Sequence, residues 1–451
     1  MTPPDPLQLL RLFQQVAPPS FFEEECRQQG YSFRRGIYSV AVVVWLMIWQ
    51  RLQSQHGLAA AVQSLQQIPH GVLLDSCRRV REGRISAGPG GYCQARQKLP
   101  KLIASHVTDR IAQQLRSEMQ EGWPGLKQPV FMIDGSSVQL PHRSELVRRF
   151  PPGHNQYGDN HWPVIRLVVF HDVFSALAER PSWGAMYGPQ AVGEQVLAEQ
   201  ALERLPADAV VMADCNFGVF AFAWAVQRGH RSMIFRLTAQ RARKILGAEL
   251  LPGTDQEVVW KPSPWERRAH PQLPAGASLK GRLLVCESPS RPGEFLYLWT
   301  TLDPPAAQIL EIYKLRWNIE TDLRSLKRTV GLQQLSSQSP DLVEKELLLA
   351  VAAYNLVRGV MCLAARRAHL KPRQLSFSFV QTVVQMALPG LDHAATESEY
   401  QQRLERLLDS AAQGGKLPQR SRRRSFPRQV WGRGDRFPQR KNVFPSGGSQ
   451  P

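Results

Sequence analysis

The six cysteines, at 26, 77, 93, 215, 286 and 362, are scattered singly, with no C-x-x-C pair and none at zinc spacing from a histidine. This argues against a disulfide framework or zinc module and fits a reducing cytosol. No P-loop and no G-x-G-x-x-G occurs, so nothing calls for nucleotide energy. Ser136 and Ser137 lack a surrounding G-x-S-x-G elbow. There is no solenoid repeat. The most apolar run, Ile37 to Trp49, is 13 residues broken by Ser39, short of the roughly 20 that span a bilayer. It follows Arg34 and Arg35 but lies too far from Met1 for a signal peptide, and reads as a buried helix. Acid is scarce too: 38 Asp and Glu against 56 Lys and Arg, a net charge of +18 over 451 residues. That balance points to a polyanionic partner, of which nucleic acid is the commonest. A composition of 43% hydrophobic and 21% charged residues is that of a folded chain, and at about 150 residues per domain it allows about three domains.

Residues 1–122 carry spaced apolar residues without strand alternation and read as helical. Their pattern breaks at Gly83 to Tyr92, a glycine-rich stretch next to Arg78, Arg79, Arg81 and Arg84. A helical module with a basic loop suits DNA-end binding, and equally a small bundle with a solvated charged face. After Trp123 the pattern becomes mixed. Strands are expected at Pro129–Leu140, Val164–Phe170, Trp183–Tyr187, Ala209–Ala213 and Met233–Leu237, with helices at Gly193–Arg204 and Phe217–Arg228. This is an α/β pattern. Residues 238–292, rich in Pro, Gly and Arg, read as an insertion with short strands. Strand character is expected at Leu283–Cys286 and resumes at Phe295–Thr300, with long helices expected at Pro305–Arg328 and Pro340–Arg367 and a helical region at 372–412. From 416 onward ten Lys or Arg face one acid, Asp435, in a tail without apolar periodicity. Such a tail suits nonspecific phosphate contact.

Two aspartates end apolar strands: Asp134 in Val130-Phe-Met-Ile-Asp-Gly-Ser and Asp214 in Val210-Val-Met-Ala-Asp. A carboxylate there sits where a sheet meets solvent, the usual place of α/β sites; a turn or helix cap also favours Asp. The long helix adds a third acid. Taking Glu320 as zero at about 100° per residue, Tyr313 falls near +20°, Arg316 near −40° and Lys327 near −20°. The four form one polar stripe beside an apolar stripe of Ile312, Leu315, Ile319, Leu323, Leu326 and Val330. An Arg316–Glu320 surface pair accounts for two of them and leaves Tyr313 and Lys327 unexplained. Three acids make an all-oxygen site, which suits hard cations such as Mg²⁺ or Mn²⁺. Two such ions about 3.5–4 Å apart clamp the attacking and leaving oxygens of a phosphoryl displacement. Arg316 and Lys327 then hold phosphates, with Tyr313 beside one. His154 and His161, with Asp159 between them, are a second metal candidate, although a polar surface loop fits better.

Tyr313-x2-Arg316-x3-Glu320-x6-Lys327 resembles the Y-R-E-K signature of bacterial insertion-sequence transposases of the IS-four type. Asp134 in Ile-Asp-Gly-Ser and Asp214 in Ala-Asp-Cys-Asn-Phe-Gly match that family's two strand aspartates. The resemblance covers about 122–370 and, more loosely, Gly91-Tyr-Cys-Gln-Ala-Arg-Gln-Lys-Leu-Pro. It implies a ribonuclease-H-like mixed-sheet core at 123–237 and 293–370 and a β-rich insertion at 238–292. Around these it leaves helical regions at 1–122 and 371–415 and a basic tail at 416–451. It implies a D-D-E triad of Asp134, Asp214 and Glu320 holding two Mg²⁺ or Mn²⁺ ions, with Tyr313, Arg316 and Lys327 on DNA. It also implies double-stranded DNA partners, a homodimer on DNA, and a cytoplasmic, nucleoid-associated enzyme. With a separation of 106 residues from Asp214 to Glu320, the insertion is of the kind that supports a DNA hairpin, where Trp260 or Trp265 would stack on an extruded base, although a core position fits either tryptophan better. The residue after the second aspartate, often basic in similar proteins, is Cys215, which leaves a phosphate contact there open. The rival readings are a ribonuclease-H-like nuclease or resolvase that never joins strands, and a DNA-binding regulator whose acids are structural caps.

Overall fold

The structure, a computed structural model, describes residues 9–32, 36–53, 57–67, 77–82, 84–119, 126–156, 158–288, 293–392 and 396–417. Met1–Lys416 form one compact unit; nearly all of the basic tail lies outside the described residues.

An eight-stranded sheet organises this unit. Its strands are β1 (Val130–Gln139), β2 (Val164–Asp172), β3 (Ser182–Ala185), β4 (Val210–Ala213), β5 (Ser232–Leu237), β6 (Asp255–Trp260), β7 (Leu279–Glu287) and β8 (Phe295–Thr300). Their order is β3-β2-β1-β4-β5-β8-β7-β6. β3 pairs antiparallel with β2 and β2 antiparallel with β1, while β1, β4 and β5 are mutually parallel. This is the ribonuclease-H-like arrangement, and the α/β expectation holds. The segment between β5 and β8 extends the same sheet. β8 pairs antiparallel with β5, setting Tyr297 opposite Leu237, and β7 and β6 add outward from it.

Period-2 alternation sorts the central strands into two faces. Phe131 and Ile133 of β1 and Val211 and Ala213 of β4 pack under helices Glu194–Leu202 and Phe220–Arg228. Val130 and Met132 of β1 and Val210 and Met212 of β4 pack against helices Ala306–Lys314 and Asn318–Arg324. A buried strand covered on both faces needs continuous apolar sequence, which is what Val130–Ile133 and Val210–Ala213 supply.

The largest core cluster joins the N-terminal helices to the far ends of β1 and β2 around helix Pro340–Arg367. This helix, rather than the segment at 37–49, is the longest apolar element. It is long and apolar enough to cross a membrane, but 94% of its most apolar window is buried within the protein. The expected helix within 37–49 runs Val40–Leu52, with Ser39 capping it. In the Gly91–Pro100 segment, Tyr92 donates from its hydroxyl to Gln50 Oε1 (2.8 Å). Arg96 meets Glu346 (2.8 Å) and Ser337 (3.0 Å), and Arg51 lies 3.3 Å from the same Glu346. Buried charge paired in this way joins the N-terminal region to the long helix.

Asn355, at the middle of that helix, grips the backbone of Ala178: Ala178 N donates to Oδ1 and Nδ2 donates to Ala178 O, both at 2.8 Å. Replacing Asn355 with alanine leaves a buried N–H and a buried C=O without partners. The expected cost is about 2–4 kcal/mol of unfolding free energy, read from urea denaturation of purified protein. A loss below about 0.5 kcal/mol would mean that water replaces the side chain.

Candidate active site

β1 and β4 are parallel neighbours in register from Val130/Val210 to Met132/Met212. Asp134 and Asp214 lie just past that shared segment, at the same end of the sheet. By alternation both follow the face that carries the 306–324 helices. Asp134 Oδ1 accepts from Gly135 N (2.8 Å). Asp214 Oδ1 accepts from Asn216 N (2.9 Å), and its carbonyl accepts from Gly218 N (3.0 Å), so a tight turn leads into helix Phe220–Arg228. Glycine is required at 218: a Cβ there would sit 2.3 Å from Arg236 O. Burial pushes the Asp134 carboxyl up to about 6; the Gly135 N–H and the Arg316 charge oppose this, and the charges of Asp214 and Glu194 add to it.

The expected single helix at 305–328 is broken. Helix Ala306–Lys314 runs into a 3₁₀ turn, Leu315–Trp317, then helix Asn318–Arg324, then a π turn, Ser325–Thr329. Val330 N closes the wide turn on Ser325 O (3.0 Å), and Gly331 ends it at φ 79°. A 3₁₀ turn winds tighter and a π turn wider than an α-helix, so the polar stripe does not stay straight. Tyr313 is buried and donates to Ala213 O (3.5 Å), the carbonyl just before Asp214. Burial raises its phenol well above the usual range. Arg316 is also buried; its guanidinium lies 4.4 Å over the Trp317 ring, and its Nε has no hydrogen-bond partner. Glu320 is exposed one turn later, and Lys327, half-buried in the π turn, has its pKa lowered by burial. Of the apolar stripe, Ile312, Ile319, Leu323, Leu326 and Val330 are buried and Leu315 packs at its margin.

Sequence reasoning missed what anchors this segment. Asp322, two residues past Glu320, is 0% exposed. It accepts from Arg358 Nη2 (2.9 Å) and from Arg373 Nη1 (3.1 Å) and Nη2 (2.9 Å). Arg373 also donates to Asp172 O (3.2 Å) and Val173 O (2.5 Å) at the end of β2. Burial alone would raise the Asp322 carboxyl, but the charges of Arg373 and Arg358 win and hold it below its ordinary value. The signal was legible: at about 200° from Glu320, Asp322 is an acid at the margin of the apolar stripe, where a charge needs a partner.

The tryptophans separate. Trp260 is 2% exposed and packs edge-on against Trp299 (5.2 Å) and Phe220 (5.7 Å). This corrects its candidacy for base stacking: it is a core residue with no free face. Trp265 is 67% exposed on a short helix fixed by a Ser263–Glu266 capping box. Glu266 also accepts from Phe220 N (3.1 Å), tying that helix to the turn after Asp214. A cavity of about 580 Å³ lies between them, lined by Cys215, Arg241, Lys244, Lys261 and Trp265 among others. Arg241 donates to Gly218 O (2.6 Å), so a cation stands beside the turn whose own residue is the neutral Cys215. His154 bonds Asp159 (2.9 Å) and His161 stacks on His142 at 4.4 Å, two separate surface contacts.

Among the described residues, no three His, Cys, Asp or Glu side chains converge closely enough to hold an ion as they stand. The donor chemistry fits a hard divalent cation. The donors are all oxygen, and the half-buried Asp134 carboxyl sits beside a second carboxylate whose repulsion a cation would relieve.

A family model described as the transposase DDE domain matches residues 125–356, the span that runs from β1 through the aspartates and the Glu320 segment into the long helix. The chain is also 28% identical over 419 residues, 90% of its length and 88% of the relative's, to the transposase InsG for insertion sequence element IS4 of Escherichia coli (strain K12). DDE transposases generally use divalent metal ions and bind DNA. The chain belongs to the DDE transposase family, as an insertion-sequence transposase of the IS4 type, and is an enzyme of DNA cleavage and strand transfer.

Proposed function

We propose that Asp134, Asp214 and Glu320 are the catalytic triad and hold two Mg²⁺ ions, with Mn²⁺ able to substitute. The observation that carries this reading is the pair of aspartates just past the paired segment of two adjacent parallel strands, beside a helical segment whose Asp322 is bonded to β2 through Arg373. The ions would supply charge neutralisation at the attacking and leaving oxygens. The chain's own residues do the rest. Tyr313 steadies the strand end that carries Asp214. Arg316, with an unpaired Nε and its guanidinium stacked on Trp317, is poised for a phosphate oxygen. Lys327 adds a backbone contact, and Trp265 offers an exposed face to an extruded base at a hairpin end.

In hydrolysis a water oxygen bonds to phosphorus at the element's end, the 3′-oxygen leaves and takes up a proton to become the 3′-hydroxyl, and the water's proton passes to solvent. In strand transfer that 3′-hydroxyl attacks a target phosphodiester in the same way, giving cut-and-paste movement. Residues 1–122 would bind the transposon ends, 372–412 would contact a second copy in a dimer on DNA, and the 416–451 tail would lie on phosphates. The enzyme would work in the bacterial cytoplasm at the nucleoid.

Supercoiled plasmid carrying the gene with its native flanks, incubated with Mg²⁺ or EDTA, tests the reading. Wild type is expected to excise and join. Glu320→Ala is expected to lose roughly 10³-fold in cleavage rate, since a two-ion clamp supplies several kcal/mol of transition-state stabilisation, while gel-shift affinity for end DNA stays within about twofold. Full cleavage by Glu320→Ala would remove Glu320 from the triad. Metal-dependent cleavage without joining would favour a nuclease.

A second expectation concerns pH. Below about 3 the Asp134 carboxyl is protonated in both folded and unfolded chains, so it has no effect on stability. As pH rises the unfolded chain ionises first, and a penalty on the folded state grows until the folded carboxyl ionises near 6. Asp134→Asn is therefore expected to raise the melting temperature at pH 7.5 and to change it much less at pH 4. Millimolar Mg²⁺ should raise that of the wild type and not of the variant. A variant less stable than wild type at pH 7.5 would contradict this.

A further inference from the structure

Arg241, Lys244 and Lys261 line the cavity of about 580 Å³ beside the Asp214 turn, and Glu266 is the one acid among its lining residues. Both Glu266 oxygens are engaged elsewhere: Oε1 accepts from Phe220 N (3.1 Å) and Oε2 from Ser263 N (2.8 Å). The cations converge from two elements. Arg241 and Lys244 stand three apart on helix Ala239–Leu246 and so share a face. Lys261 directly follows β6. Among the described residues none of the three meets a carboxylate. Arg241 is held in place, since its Nη1 donates to Gly218 O (2.6 Å) and reaches Cys215 O (3.5 Å). Its Nε and Nη2 make no hydrogen bond among the described residues. A guanidinium fixed by one nitrogen presents the others pre-organised. Cys215, the residue after Asp214, lines the same cavity and brings no cation to it.

Resting on the triad reading above, we propose that this cavity binds a backbone phosphate of the DNA strand cleaved at the triad, away from the bond that is cut. Arg241 is the fixed donor, and Lys244 and Lys261 add charge. Three like charges around one hollow repel one another, and an anion between them relieves the repulsion. The turn from Asp214 to Gly218 then ties two points on the strand to one element. Asp214 at its start serves the reacting phosphate, and Arg241, bonded to its end, holds a second one. A phosphate held there sets the position of the strand over Asp214 without reading its sequence. The competing role is a solvated basic face, with Arg241 doing no more than brace the turn.

The test uses the full-length protein and a fluorescent duplex of the element's end, with affinity read by anisotropy in EDTA over a range of salt. Arg241→Gln and Lys244→Gln are each expected to reduce the slope of log affinity against log salt by about 1, alike on end and unrelated duplexes. Lys244 makes no bond to the turn, so its variant reads charge alone. Adding Cys215→Arg to Arg241→Gln returns a cation to the cavity without the Gly218 bond and is expected to restore the slope. A neutral methylphosphonate, moved along the cleaved strand, is expected to weaken wild type at one position where it leaves Arg241→Gln unchanged. Wild-type slopes in both glutamine variants overturn the proposal. So does a loss in Arg241→Gln alone that Cys215→Arg does not repair, which makes Arg241 a brace for the turn. An abasic position that weakens wild type but not Arg241→Gln, with no methylphosphonate doing so, overturns it in favour of a base in the cavity. Asp214→Asn separates the two readings: it is expected to lose Mg²⁺-dependent cleavage and keep the wild-type slope. Cleavage by Asp214→Asn would sink the triad while the slopes still report on the cavity.

Discussion

The bond on which the rest of the site depends is the buried ion cluster at Asp322. One carboxylate, fully removed from water, accepts from Arg358 on the long helix and from Arg373, which also holds the end of β2. Such a cluster adds little net stability over apolar packing, but breaking it leaves an uncompensated charge, at a cost of about 3–5 kcal/mol. It therefore fixes geometry. The sheet, the long helix and the C-terminal segment all meet at the residue two places from Glu320. A helix that slid by one residue would lose every bond of the cluster. The Glu320 segment is interrupted at both ends, by a 3₁₀ turn and a π turn, and this cluster pins its middle.

A different condition holds around Asp134. Burial and the charges of Asp214 and Glu194 push its half-buried carboxyl up, against the Gly135 N–H and the Arg316 charge, and Arg316 Nε has no hydrogen-bond partner. The fold thus contains a fully bonded buried acid at Asp322, which sets position, and a destabilised carboxyl at Asp134, where stability is given up.

Much of this was legible in the sequence. Continuous apolar runs located β1 and β4 and put an aspartate at the close of each run. The helix Pro340–Arg367 was read to its observed bounds because its apolar residues and its Ser339–Pro340 start agree. The breaks at 315–317 and 325–329 were not legible, since an ideal 100° step assumes away 3₁₀ and π turns. Trp260 and Trp265 show a different limit: the same two readings stood for both in the sequence, and only strand register turns Trp260 inward onto Trp299 while Trp265 stays exposed. Arg96 was visible only as part of a basic, helix-forming stretch. Its partner, Glu346, is 250 residues away, and no local pattern reports such a pairing.

The 106 residues between the second aspartate and the glutamate look at first like an obstacle to a shared site. The sheet removes it. The chain leaves the core at β5 and returns as β8, the adjacent strand, with Leu237 opposite Tyr297. The two ends of the insertion are thereby fixed side by side by ladder hydrogen bonds whatever lies between them. β6 and β7 extend the same sheet outward, and Leu283 and Leu279 of β7 continue the core beneath helix Phe220–Arg228. The insertion can vary in length and carry surface groups such as Trp265 and Lys261 without moving β8, and it is from β8 that the chain turns directly into the helices bearing Tyr313, Arg316 and Glu320. Strand pairing at the β5–β8 seam, rather than proximity in sequence, fixes where the chain re-enters the core ahead of Glu320.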